Sequence, residues 1–243
     1  MKKTALVTGG SGGIGSAVCR RLAKEGWLTA VGYKSGKAAA EALVAELKEQ
    51  DCTAEAFYCD ISDLDSIKDC VAEVEKIFGS VALLVNNAGT ADIGLFTDMT
   101  DEKLCEMLNI DLLGAMRMSR EVLPAMIREH RGNIINITSV WGEKGASCEV
   151  AYSAAKAGLI GFTRALSREV AISGVRVNGV SCGMIDTKMN GELTESDVQA
   201  IVEEISAGRI GTPEDIANTV AFLADEKSDY INGQIIRVDG NWI

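Results

Sequence analysis

Short apolar runs separated by amphipathic stretches set the rhythm of this chain. Ala5-Leu6-Val7, Leu28 to Tyr33, Ala54 to Tyr58, Val81 to Val85, Asn133 to Ile137, Val175 to Val180 and Ile235 to Val238 read as strands. Continuously apolar strands are buried on both faces, as in parallel sheets. Helical periodicity covers Ser16 to Leu22, Lys37 to Glu49, and Leu64 to Phe78, where Leu64, Ile67, Val71, Val74 and Ile77 make the apolar stripe. Asp101 to Leu108, Leu112 to Glu129 and Tyr152 to Val170 follow, and a last helix starts at Pro213-Glu214-Asp215, with proline and acids in its first turn. About seven strands alternating with helices predict an α/β fold, a doubly wound parallel sheet in a single domain spanning the 243 residues. From Cys182 to Gly208 the pattern loosens, with a short helix around Val198 to Ile205. This stretch is either a lid or a plain surface insertion.

The first strand runs into Thr8-Gly9-Gly10-Ser11-Gly12-Gly13-Ile14-Gly15 and then a helix. Glycines there permit positive φ and close backbone approach, and a helix N-terminus attracts phosphate. The turn reads as a Rossmann-like dinucleotide site. Two patterns overlap, G-x-G-x-x-G through Gly10, Gly12 and Gly15, and T-G-x-x-x-G-x-G through Gly9, Gly13 and Gly15. In doubly wound sheets ligands lie beyond the carboxyl ends of the strands. The polar residues follow that rule: Asp60 after strand three, Asn86-Asn87-Ala88-Gly89 after strand four, Thr138-Ser139 after strand five, and Ser181 to Thr187 after strand six.

Charge and composition narrow the function. A net charge of -11 repels nucleic acid and offers nothing to an anionic membrane surface. The apolar stretch after Met1-Lys2-Lys3 ends within a few residues, too soon for a signal peptide, so the chain is expected to be cytoplasmic. Its seven cysteines are scattered and never spaced C-x-x-C, which fits reduced thiols, with Cys19 and Cys70 in helical cores and Cys148 and Cys182 near the site. The single histidine, His130, sits in a charged helix end, so neither a metal cluster nor a Ser-His-Asp triad is supported.

The end of strand two carries no acid for a ribose hydroxyl. Lys34 and Ser35 stand there instead, which favours NADP(H) through its 2′-phosphate, and Asp60 is placed to accept from the adenine amino group. Tyr152 and Lys156, four apart on one helix face, make an acid–base pair, and the lysine cation, together with the positive nicotinamide of an oxidised cofactor, is expected to draw the phenol below its ordinary value of about 10. Tyr152 then protonates a carbonyl oxygen as hydride reaches the carbon, with Ser139 bonding the same oxygen.

These residues resemble the short-chain dehydrogenase/reductase family over essentially the full length. The motifs are T-G-x-x-x-G-x-G, Asp60, N-N-A-G at Asn86 to Gly89, Ser139, Tyr152 and Lys156, and the tail Asn232-Gly233-Gln234. The resemblance implies a cofactor site of Gly9, Ser11, Gly13, Ile14, Gly15, Ile61, Asn87, Ala88, Gly89, Ile185 and Thr187, with Lys156 also gripping the nicotinamide ribose. It also implies a homotetramer built through the two long helices and the last strand. Two positions depart from the family pattern. Asp111 stands where a relay asparagine is usual, and Cys182 where a proline is usual, a loss expected to loosen that turn.

Within the family, Tyr152 to Gly183 and Arg209 to Gly240 look most like bacterial 3-oxoacyl-acyl-carrier-protein reductases of fatty acid biosynthesis. An acidic carrier protein would need basic docking residues, for which Arg117, Arg120, Arg128, Arg131, Arg164 and Arg168 are candidates. Trp141 to Val150 instead resembles a branch assigned as elongation factor P 5-aminopentanone reductases. Glu143 or Glu149 beside Trp141 would suit a cationic amine better than an acyl chain. A non-catalytic NADP-binding regulator is the reading from another class, and the intact Ser139, Tyr152 and Lys156 argue against it.

Overall fold

The structure, a computed structural model, describes residues 3–191 and 194–243. Seven strands, β1 (Thr4–Val7), β2 (Leu28–Tyr33), β3 (Ala54–Tyr58), β4 (Val81–Asn86), β5 (Gly132–Ser139), β6 (Val175–Cys182) and β7 (Ile235–Val238), form one sheet in the order β3-β2-β1-β4-β5-β6-β7. Every pairing is parallel. The order reverses beside β1, whose neighbours are β2 and β4, and that switch point opens the ligand crevice.

Strand alternation divides the core in two. Ala5, Val7, Leu83, Val85 and Ile135 point to one face, where α1 (Gly13–Lys24), α2 (Lys37–Glu49) and α9 (Pro213–Ala224) bury Leu22, Leu43, Leu47, Ile216 and Val220. Leu6, Leu84 and Ile134 point to the other face, against α3 (Leu64–Phe78), α5 (Ala115–Arg128) and α7 (Val150–Val170). Cys19 and Cys70 are buried in these cores as expected. On α3 the stripe is Ile67, Cys70, Val71 and Val74, while Ile77 is exposed.

Strand positions and most helix bounds match the hydrophobic pattern. The main difference lies between α4 (Asp101–Leu108) and α5. Where the pattern starts a second helix at Leu112, a π-helical turn, Asn109–Gly114, carries right-handed backbone from α4 into α5. Apolar spacing does not reveal such a turn, because the backbone never leaves the helical region. Gly114 allows it to pack closely, since a Cβ there would lie 2.8 Å from Ile61 Cδ1. Between β6 and α9, a short turn (Lys188–Asn190) and α8 (Glu195–Glu204) form the irregular segment. Glu192 and Leu193 of that segment lie outside the described residues.

A buried polar chain ties the site-bearing strands to their helices. Asn86 Nδ2 donates to Ser119 Oγ of α5 at 3.1 Å and to Asn136 Oδ1 of β5 at 2.8 Å, and Asn136 Nδ2 donates to Thr163 Oγ1 of α7 at 2.8 Å. Buried polar groups left without such partners are costly. Asn136→Ala is therefore expected to lower stability by about 2–3 kcal/mol in urea unfolding, because it removes both bonds that join β4 and α7 through β5 and leaves a void in the buried sheet, although Asn86 keeps Ser119 and Thr163 keeps the Leu159 carbonyl. Thr163→Val, which leaves one orphaned donor, should cost less.

Candidate active site

The residues singled out by the sequence converge at the carboxyl edge of the sheet, around a cavity of about 590 Å³. Its floor is the turn after β1. Gly9 takes a left-handed φ of 62°, and a Cβ on Gly15 would overlap the Gly9 carbonyl oxygen and lie 2.7 Å from Asn87 Nδ2. A Cβ on Gly13 would meet Thr187 Cγ2 at 3.0 Å, so Thr187 closes over the turn. Gly10 is also confined, with Val31 Cγ1 at 3.0 Å from a built Cβ, whereas Gly12 meets only the Gly9 oxygen at 3.4 Å. The wider glycine pattern carries most of the constraint, and Gly10 adds one that the sequence reading did not credit.

Helix α1 begins with Gly12 at its N-cap, has no side-chain cap and no acid in its first turn. Its first amides are thus open to an anion, as a pyrophosphate requires. Thr8 fastens this floor to the next loop: its Oγ1 accepts the backbone N–H groups of Asn87 at 3.0 Å and Ala88 at 3.1 Å. In return Asn87 Nδ2 donates to the carbonyls of Thr8 and Gly9. Thr8, the first residue of the T-G-x-x-x-G-x-G motif, thus serves the site as a fastener between two loops.

Ser11, Ile14, Lys34, Ser35, Asp60, Ile61, Ala88 and Gly89 all line the cavity, as do Ile185 and Thr187. Lys34 and Asp60 are not independent, however. Lys34 Nζ lies 2.9 Å from Asp60 Oδ2, and Asp60 Oδ1 accepts from the Ser62 backbone at 2.9 Å and its hydroxyl at 2.5 Å. Burial pushes the Asp60 carboxyl up, but the Ser62 and Lys34 bonds outweigh it and hold the group below its ordinary value. The Asp60 bond raises the Lys34 ammonium in turn. Asp60 is thus already occupied in a way the sequence reading, which gave it to an adenine amino group, did not anticipate.

The chemical residues sit on the facing wall. Tyr152 and Lys156 share α7, one turn apart, and Lys156 Nζ lies 5.5 Å from the centre of the Tyr152 ring. Ser139, at the end of β5, bonds the Tyr152 side chain and accepts the Trp141 backbone N–H at 3.2 Å. Asp111, carried by the π-turn, is buried with Oδ1 3.1 Å from Lys156 Nζ and Oδ2 accepting the Thr90 N–H at 3.0 Å. Lys156 Nζ also donates to the Ile137 carbonyl at 3.3 Å.

This geometry corrects the expected direction for the tyrosine. Burial raises the Tyr152 phenol above its ordinary value; Lys156 and Ser139 oppose the rise, and the Asp111 charge adds to it. Burial likewise raises Asp111, against the pull of Lys156. Desolvation alone would lower Lys156, but the neighbouring Asp111 and Tyr152 outweigh it and keep the ammonium above its usual range.

Cys182 is the last residue of β6, registered with Ser139 and Val238, and burial pushes its thiol up to about 12. One further expectation changes. Glu143 is spoken for, accepting from Ser181 Oγ at 2.5 Å and pairing with Arg237 at 2.6 Å. Glu149 instead lines the cavity beside Trp141, along with Trp242 from the chain's end, and the two indoles meet edge to face at 5.0 Å. Trp242 was missed because nothing in its local sequence marks it. The irregular segment supplies one wall through Met184, Lys188, Met189 and Ile201, and His130 is an exposed residue at the end of α5, away from the site.

A dinucleotide-binding turn facing a serine, tyrosine and lysine defines an α/β oxidoreductase, and comparison agrees: residues 3–198 match the short chain dehydrogenase family, to which the chain belongs. It is 38% identical over 243 residues to the uncharacterized oxidoreductase YmfI of Bacillus subtilis, covering 100% of this chain and 99% of the relative. It is 40% identical over 240 residues to the 3-oxoacyl-acyl-carrier-protein reductase FabG of Staphylococcus aureus, covering 99% and 98%. A solved structure of a candidate gluconate dehydrogenase from Agrobacterium tumefaciens superposes with a TM-score of 0.95 at 31% identity, over 99% of this chain and 95% of that one. The chain is thus an oxidoreductase acting between CH–OH and C=O, with a nicotinamide dinucleotide as cofactor.

The turn geometry separates the glycines experimentally. Gly15→Ala is expected to abolish dinucleotide binding in a fluorescence titration or to prevent folding, while Gly12→Ala should fold and bind within about threefold of the parent.

Proposed function

We propose that this protein is a cytoplasmic, NADPH-dependent reductase that converts a ketone to a secondary alcohol. The open amides of α1 and the glycine floor would hold the pyrophosphate, Lys34 and Ser35 the 2′-phosphate, and Lys156 the nicotinamide ribose. NADPH supplies the hydride that reaches the carbonyl carbon. Tyr152 donates its phenolic proton to the carbonyl oxygen, so that ketone, hydride and proton sum to the alcohol. Ser139 donates a hydrogen bond to the same oxygen and stabilises the charge forming there. Lys156, fully desolvated, supplies a fixed positive field that eases the loss of the proton from the phenol.

The cavity mouth favours a ketone that carries a cationic amine, such as the 5-aminopentanone group on elongation factor P. The observation behind this is Glu149, a half-buried carboxylate at the cavity wall with no cationic partner among the described residues, beside Trp141 and Trp242. Burial raises its carboxyl, as expected of a site that waits for a counter-ion. Aromatic faces beside a carboxylate suit an ammonium group.

The second reading, a 3-oxoacyl thioester on an acyl carrier protein, rests on the 40% identity to reductases named for that substrate. Its docking arginines are less available than the sequence implied. Arg117 bonds Asn109 and the Ser62 carbonyl, and Arg131 pairs with Glu226. We further propose assembly as a homotetramer through α5, α7 and β7. Exposed Leu113, Met116 and Val150 and the unpaired outer edge of β7 support it.

Loss of NADPH absorbance with acetoacetyl thioester and with an aminopentanone-bearing elongation factor P tests both substrates. Turnover should be detectable with wild type and fall at least about a hundredfold in Tyr152→Phe. Glu149→Gln should raise KM for the amine-bearing ketone about tenfold and leave the thioester unchanged. Activity on the thioester alone would select the second reading, and no consumption with either would sink the reductase claim. In the same assay Lys34→Ala should raise KM for NADPH about tenfold while sparing NADH.

A further inference from the structure

The directed bonds of Lys156 do not go to Tyr152. Its ammonium lies 3.1 Å from Asp111 Oδ1 and donates to the Ile137 carbonyl at 3.3 Å, while the Tyr152 ring centre is 5.5 Å away. Asp111 has a fully buried side chain and is fixed from its other side by the Thr90 N–H. Gly89 makes room for the pair, since a Cβ there would lie 2.6 Å from Asp111 Oδ1 and 3.4 Å from Lys156 Nζ. An asparagine would fill the same space with no charge. A carboxylate brings a full negative charge to a lysine whose side chain is only 6% exposed.

We propose that Asp111 is a positioning residue that neutralises Lys156 and keeps Tyr152 a proton-bearing phenol at neutral pH, so that the acid ketone reduction draws on is the resting form of the site. The inference rests on the reductase reading above. Reduction consumes the phenolic proton; oxidation instead needs the phenolate to accept the alcohol proton as hydride leaves for the oxidised dinucleotide. The titratable groups facing Tyr152 are Lys156 from its own helix, Asp111 from the π-turn and the Cys182 thiol from β6. Glu149 flanks the start of the same helix. Of these only Lys156 favours the phenolate, and its charge is the one Asp111 meets. Burial is the larger cause of the raised Tyr152 phenol, and the Asp111 charge is a lesser one in the same direction.

Tyrosinate difference absorbance measured against pH, without substrate, reads the phenol directly. The step missing from Tyr152→Phe assigns it. In Asp111→Asn its midpoint should fall by about one pH unit or more, and Asp111→Glu, which keeps the charge, should stay near the parent. With cofactor and substrate, the acid limb of the alcohol-oxidation pH profile, which reads the phenolate, should move down by about one unit in Asp111→Asn. An unmoved midpoint and an unmoved limb in Asp111→Asn would overturn the proposal, and Asp111→Ser gives the same comparison if the amide variant does not fold. Because the titration needs no turnover, a protein that reduces no ketone fails the reductase reading alone. A working reductase with an unmoved phenol fails only this one.

Discussion

The reversal of strand order beside β1 is the constraint on which the rest depends. Parallel strands need crossovers long enough to hold a helix, and winding them outward in both directions from β1 leaves a gap at the carboxyl edge that no connection crosses. Strand ends bring the glycine turn, Asn87 and Ser139 to that gap, while Tyr152 and Lys156 reach it from α7 and Asp111 from the π-turn. Thr8 bonds across it to Asn87 and Ala88, so the floor beneath a dinucleotide and the loop from β4 are one rigid piece. The Ser119, Asn86, Asn136 and Thr163 chain does the same for α5 and α7 on one face of the sheet. The site is held by backbone order and buried polar bonds rather than by its own chemistry.

What was legible in the sequence follows from that order. Strands of such a sheet are short runs rich in apolar residues between turns, so β2, β3 and β7 could be bounded to the residue from hydrophobicity even though Glu55 and Arg237 interrupt the last two. Glycine positions could be read because a missing Cβ is a local steric fact, and Gly15 and Gly13 answer to it. The π-turn was not legible, since one additional residue within a helix leaves every local preference satisfied. Nor was the pairing of Lys34 with Asp60, or of Glu143 with Arg237, because a charge in a sequence carries no address. Trp242 reaches the cavity only through the fold of the chain's end, close to 100 residues past its partner Trp141. The direction of the Tyr152 shift was misjudged for a related reason: spacing showed the lysine on the same helix but not the carboxylate on another.

The site's charges also balance differently from the surface. The chain as a whole is strongly acidic, yet around the reacting centre the acids are committed one by one: Asp60 to Lys34, Asp111 to Lys156, Glu143 to Arg237. Among the described residues Glu149 has no cationic partner, and the Trp141 side chain bonds it. A carboxylate held that way in a half-buried wall is costly for a folded protein to keep.

The π-turn at Asn109–Gly114 joins α4 to α5 with one residue more than a regular α-helical turn would hold. An α-helix advances about 100° per residue, so removing a single residue there would give a more regular helix and turn the Asp111 carboxylate away from Lys156. A chain optimised for helix regularity alone would drift toward that deletion. The irregularity therefore marks a position where local stability and the aim of one buried charge pull in opposite directions.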